Sequence, residues 1–165
     1  MDAILSLYHR VTALLSGAIV ESVALLLTRV ALAGIFWRSY QTKVEEGTWF
    51  TINEVQYFLF ENEFAGLPLP SEVSVPLATY AEFLFPILLV IGLASRFSAA
   101  ALMVMALVIQ IFVFPTADHF LGWAITVIAM AAFVISRGPG LFSLDALLSR
   151  LAGVSLPQTG ELKAA

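Results

Sequence analysis

Cysteine is absent from the 165 residues. That absence removes disulfides, thiolate metal ligation, iron–sulfur clusters and thiol exchange from the chemistry of this polypeptide. Any redox role must therefore draw on a bound molecule or a partner. Charge is scarce as well: Lys, Arg, Asp and Glu make up 12% of the chain against 60% hydrophobic residues, about half the charged share of a soluble domain. A net charge of -4, with no basic patch interleaved with aromatics, argues against nucleic acid as a partner. No G-x-S-x-G elbow, P-loop or dinucleotide fingerprint occurs, so no catalytic residue is assigned and an autonomous enzyme is not expected. A basic leader is missing too, since Asp2 stands where it would begin and Arg10 interrupts the apolar residues that follow. The chain is read as mature from Met1.

What remains is apolar and comes in long runs. Four stretches, at about 19–40, 75–93, 97–114 and 120–135, approach the roughly 20 residues a helix needs to cross about 30 Å of hydrocarbon. The last is charge-free but short. Together they predict an all-α, polytopic membrane protein: a single domain over 1–165 built as a four-helix transmembrane bundle. Three amphipathic pieces between and beside the spans read as interfacial helices. At about 1–17, Ile4, Leu7, Tyr8, Val11, Leu14 and Leu15 recur at helical spacing. In the loop at about 44–74, Thr51 and Glu54 are spaced for a T-x-x-E capping box with Phe50 and Val55 as its staple. Trp49, Phe50, Tyr57 and Phe58 supply anchors for the headgroup region. After the stop at Gly138-Pro139-Gly140, Ser143 is placed to cap a short helix carrying Leu144, Leu147, Leu148 and Leu151, which Gly153 would end. The residues at about 154–165 read as a frayed tail.

Orientation follows from the cations, which are retained on the cytoplasmic side. Arg10, Arg96, Arg137, Arg150 and Lys163 fall on the side of the termini. The other side holds Arg38 and Lys43 with Glu45, Glu46, Glu54, Glu61, Glu63 and Glu72. Both termini are therefore expected in the cytoplasm, and the long acidic loop outside.

Ionisable groups within the spans need partners, because an unpaired charge in hydrocarbon costs at least a few kcal/mol. Glu82 lies about 10 Å inside the outer end of its span, Arg38 about one turn inside the same end, and Arg29 some 13 Å deeper. Arg38 with Glu82 is the expected pair, with Arg29 and Glu82 the second choice. Pro86 frees the carbonyl four residues earlier, which is that of Glu82. Two readings follow: a polar pocket suited to a quinone headgroup, a small anion or a proton, or an ion pair that only fixes helix register. Gln110 is expected to hydrogen-bond across helices. His9 and His119 are the only histidines, and the topology separates them across the membrane, which excludes a bis-His haem within one chain. His119 with Asp118, near Glu61 and Glu63, forms a weak candidate site on the outer face. The commoner role of Asp118 is to cap the fourth helix, and no metal ligand set is assigned.

The order of these residues resembles the DoxX family of small bacterial four-helix membrane proteins, over about 29–150. Arg29, Phe36, Arg38, Ser39 and Lys43 are similar to the family's pattern in the first span, with Tyr40 where many members have glycine. Leu59-Phe60-Glu61-Asn62-Glu63-Phe64 with Leu67-Pro68 resembles an aromatic and acidic motif of one branch. Ala81-Glu82, Pro86, Gly92-Leu93, Arg96-Phe97, Val108-Ile109-Gln110, Phe112, Pro115, His119, Trp123-Ala124, Arg137-Gly138-Pro139-Gly140 and Ser143-Leu144-Asp145 follow in order. The resemblance implies a bacterial inner-membrane protein related to subunits of a thiosulfate:quinone oxidoreductase and to membrane partners of soluble redox or detoxification proteins. An accessory or anchoring subunit of a membrane redox or stress-response complex is expected, with no intrinsic cofactor, a quinone near Arg38, Glu82 and Gln110, and a membrane or periplasmic redox protein as partner. The competing expectations are a small transporter or permeation subunit, for which four helices would call for a homo-oligomer, and a purely structural scaffold.

Overall fold

In hydrocarbon a backbone must satisfy its own hydrogen bonds, and long apolar runs do so by coiling. The structure, a computed structural model, describes residues 2–153; the expected tail and Lys163 lie outside them. Among the described residues seven helices form: α1 (Asp2–Leu15), α2 (Ala18–Gln41), α3 (Val55–Asn62), α4 (Ser71–Ile91), α5 (Ser95–Val113), α6 (Ala117–Arg137) and α7 (Leu144–Leu151). Of these, α2, α4, α5 and α6 are long and apolar enough to cross a membrane, at 24, 21, 19 and 21 residues. The fourth span is thus not short. It starts at Ala117 and reaches Arg137, because polar residues at both ends are taken into the helix.

The four spans close into a ring, with α2 packed on α4 and α6, and α5 packed on the same two. Leu32, Phe36, Leu89, Leu102, Val127 and Val134 fill the centre. Buried Ala33, Ala99, Ala106 and Ala131 let the backbones approach, the device that membrane bundles use where apolar burial gives no net drive. Leu27, Leu84, Val104 and Leu121 point outward and are exposed, a distribution that suits lipid and not water. The apolar stripe of α1, including Ile4, Leu7 and Leu14, is also exposed.

At the end bearing the termini, the chain ties its own turns together. Gly92 (φ 75°) and Ala94 (φ 49°) make the left-handed turn between α4 and α5. Asp145, in the first turn of α7, accepts from the Ala94 and Ser95 amides at 2.8 and 2.9 Å, and so caps α5 from another helix. Ser143 caps α7 through the Ala146 amide at 3.1 Å, as the sequence predicts. Ser22 Oγ accepts from the Leu141 amide at 3.0 Å, and Arg137 pairs with Glu21 at 3.2 Å. Arg29 completes this tie. It is fully buried, and its guanidinium donates to the Leu89 carbonyl at 3.2 Å and to the Phe142 carbonyl. The second-choice pairing of Arg29 with Glu82 is therefore not formed: the long side chain turns toward the termini, where the end of α4 offers carbonyls without helical partners.

At the opposite end, residues 43–53 fold back on themselves. Asn53 N donates to the Lys43 carbonyl and Glu45 N to the Thr51 carbonyl, both at 2.9 Å, around an antiparallel bridge between Val44 and Ile52. This pairing takes Thr51 out of reach of a capping role. The expected T-x-x-E box is absent, and Asn53 Oδ1 accepts from the Val55 amide at 2.9 Å instead. Phe50 packs edge-on against Phe83 of α4, with ring centroids 5.4 Å apart. The segment after α3 then lies across the bundle end so closely that a Cβ on Gly66 would strike the Phe112 carbonyl of α5.

Candidate functional site

Phe60 and Phe64, Leu67 and Pro68 lie over the end of the bundle, and beneath them α2, α4 and α5 enclose a cavity of about 830 Å³. Its walls are mostly aliphatic and aromatic. Leu77 of α4 and Val104 of α5 line it and are also 60% and 57% exposed, so the gap between these two helices faces outward. Polar side chains enter at two places.

The first is Glu82. Its Oε2 accepts from Lys43 Nζ at 2.7 Å and its Oε1 from Ser39 Oγ at 3.1 Å, while Lys43 Nζ also donates to Ser39 Oγ at 2.8 Å. The Glu82 and Lys43 side chains are 3% and 11% exposed. The expected pair of Arg38 with Glu82 is thus corrected: the partner is Lys43. Arg38 is exposed and has no hydrogen bond or ion pair among the described residues. The reason is geometric. Ser39 and Lys43 are four apart and share a face, and Lys43, just past the end of α2, folds its stem back into the bundle. Arg38 projects from a different face. Because Lys43 lies past the first span, the sequence places it only among the outer-side cations. Its spacing from Ser39 was the available signal.

The second polar place lies where two helices widen. α5 ends in a π-helical turn, Ile109–Val113, and α6 carries another at Phe120–Ala124. Such turns are rare and concentrate at functional sites. Gln110 sits in the first and His119 directly precedes the second. Thr116 caps α6, its Oγ1 accepting from the His119 amide at 3.2 Å; Asp118, the expected cap, lies two residues further on, within the first turn. Gln110 Nε2 donates to the Thr116 carbonyl at 3.1 Å, and Gln110 Oε1 meets His119 Nδ1 at 2.7 Å. The imidazole lies between Phe114 and Trp123, with centroids 4.9 and 5.2 Å away.

Gln110 therefore bridges α5 and α6, as expected, but lies apart from the walls of the cavity that Glu82 and His119 line. Arg29 and Arg38 are not among its lining residues either. The outer-face group of Glu61, Glu63 and His119 is not assembled as a metal site: no three His, Asp or Glu side chains among the described residues are placed to hold an ion. Glu61 instead accepts from Ser71 Oγ at 2.8 Å, and Glu63 is exposed. Tyr40 is buried away from the cavity, donating to the Trp49 carbonyl among Trp37 and Phe83. The large residue at that position closes a separate aromatic cluster.

No curated protein and no solved structure matches the chain. Family models do. The one described as DoxX matches residues 24–115, which hold Arg29, Lys43, Glu82 and Gln110. The one described as TQO small subunit DoxD matches residues 72–159, from α4 through α7. Each covers more than half of the sequence, and the protein with this four-span bundle, inter-helix tie and largely apolar cavity belongs to the DoxX family.

Proposed function

We propose that this protein is an accessory or anchoring subunit of a membrane redox complex, and that its cavity receives a quinone headgroup. The observation that carries the reading is the cavity itself: about 830 Å³ of largely apolar space with polar side chains at two separate places and an outward-facing gap between α4 and α5. A quinone, like its hydroquinone, is an apolar ring with polar oxygens on opposite edges and an apolar tail, so the size and apolar lining of the cavity fit the couple. When bound, such a molecule would supply the two-electron chemistry that a cysteine-free chain lacks. The protein's own part is to hold the ring between aliphatic walls, exclude water under Phe60 and Phe64, and meet the oxygens with Glu82 and His119. The family model named for a small subunit supports assembly with larger partners.

The same reading places the protein in a bacterial inner membrane with both termini in the cytoplasm. The exposed acids Glu45, Glu46, Glu54, Glu63 and Glu72 then form a docking face for a periplasmic partner. Native mass spectrometry of the protein, extracted gently from its own membrane, tests the proposal. A retained quinone or a stoichiometric redox partner is expected. A clean homo-oligomer without either would overturn it in favour of transport or scaffolding.

A further inference from the structure

The polar atoms around the cavity can be sorted by whether a hydrogen is still free to donate. Lys43 spends its protons on Glu82 Oε2 at 2.7 Å, Ser39 Oγ at 2.8 Å and, at 3.5 Å, the Ser39 carbonyl. Ser39 gives its hydroxyl proton to Glu82 Oε1, and Ser74 gives its own to the Pro70 carbonyl at 3.0 Å. His119 is fixed by a longer chain of logic. The Thr116 carbonyl can only accept, so it holds the Gln110 amide with Nε2 toward itself and Oε1 toward the imidazole. Oε1 also can only accept, so Nδ1 of His119 carries the hydrogen. In the neutral ring Nε2 is then a bare acceptor, and it has no partner among the described residues.

Acceptors, by contrast, are left over. A carboxylate offers about four lone-pair positions, and Glu82 has two of them in use, by Lys43 and Ser39. His119 adds Nε2. Against these stands one uncommitted donor among the lining side chains, the indole N–H of Trp123. Both polar places therefore ask a ligand for hydrogens and offer it few.

We infer that the cavity selects the hydroxyl-bearing, reduced form of a two-oxygen aromatic headgroup, with His119 Nε2 as the acceptor that discriminates a hydroquinone from its quinone. The inference rests on the quinone reading above and adds the redox state of the ligand and the residue that senses it. A hydroquinone donates one hydroxyl to Nε2 and the other to Glu82. The dione presents carbonyl oxygens to the same atoms, where acceptor meets acceptor and neither is satisfied, which is the circumstance in which polar sites reject an analogue most strongly.

The test is binding of decylubiquinol and decylubiquinone to the purified protein in nanodiscs under anaerobic conditions. The quinol is expected to bind at least about tenfold more tightly, the share of one hydrogen bond to a well-fixed acceptor. H119F should weaken the quinol by about that factor and narrow the preference to the part that the free lone pairs of Glu82 supply. W123F should keep or widen it, since it removes the one donor that favours the quinone. Nitrogen-15 NMR of the ring-labelled protein without ligand gives a second, binding-independent readout, and a bare Nε2 is expected. Equal or tighter binding of the quinone, a preference that H119F leaves undiminished, or a hydrogen on Nε2 would each overturn the inference and leave the quinone reading standing. Failure of both forms to bind would overturn both.

Discussion

Lys43 and Glu82 bury opposite charges within 2.7 Å of each other, with Ser39 donating to the remaining carboxylate oxygen. A pair of this kind is worth little relative to well-packed apolar residues, yet removing one member strands the other and costs about 3–5 kcal/mol. K43M should therefore destabilise the protein by about that amount in thermal or denaturant unfolding from detergent, and E82Q by less, since a neutral amide can still hydrogen-bond. The double variant K43M/E82Q should recover most of the loss. R38A should fall within about 0.5 kcal/mol of the parent, as surface changes do. If R38A were the damaging change and K43M mild, the assignment of the partner would be wrong. That a carboxylate at this depth needs a cation was legible in the sequence from the cost of burial alone. Which cation supplied it was not, because the decision depends on where the end of α2 aims a flexible stem. Arg29 shows the same limit: that it needs partners follows from its place in a span, but its burial was left open and its two carbonyl partners lie 60 and 113 residues away in sequence.

At the scale of elements, the spans were legible because apolar length is a property of local sequence, and so was the cap of α7, where Ser143 acts within one turn. Caps that depend on competition were not. Thr51 is drawn into the bridge with Val44 and Ile52, which hands the start of α3 to Asn53; α6 starts two residues earlier than a helix capped by Asp118 would, which hands its cap to Thr116. The π turns at 109–113 and 120–124 left no signature in hydrophobic spacing, yet they flank the connection whose polar groups fix His119. The cover over the cavity was equally hidden, because nothing local says that Gly66 must approach α5. G66A should force that segment away from the Phe112 carbonyl, a contact with backbone that cannot yield as a side chain would. A loss of about 1–3 kcal/mol is expected for such overpacking. Hydrogen exchange should speed up across 60–70 and stay slow in the buried stretches of α2 and α6. G34A, where an added Cβ meets nothing within 4 Å, is the control, and it should be neutral or stabilising by up to about 1 kcal/mol. Equal exchange in the two variants would show that the cover does not depend on this close approach.

For the whole molecule, the ring of four spans puts the two polar systems at opposite ends. The tie made by Arg29, Asp145 and Ser22 holds the end with the termini. The cavity with Glu82 and His119 lies toward the end with the acidic loop, beneath Phe60 and Phe64. Rigidity at one end and a hollow at the other is what an accessory subunit needs if it must present a ligand or a surface to a partner on one side only. The biology then depends on which side that is. Cation counting predicts cytoplasmic termini, since Arg10, Arg96, Arg137 and Arg150 gather at their end. The burial of Lys43 sharpens this argument, because it withdraws one of the two cations from the opposite face and leaves Arg38 there among exposed acids. The absence of cysteine makes the test clean: any introduced thiol is the only one in the chain. E46C and A152C both fall at exposed positions, one in the acidic loop and one just past α7. In intact spheroplasts a membrane-impermeant maleimide should label E46C fully and A152C only after lysis. The reverse pattern would invert the orientation and move the docking face for any redox partner into the cytoplasm. Labelling of both without lysis would argue against a bundle that crosses the membrane four times.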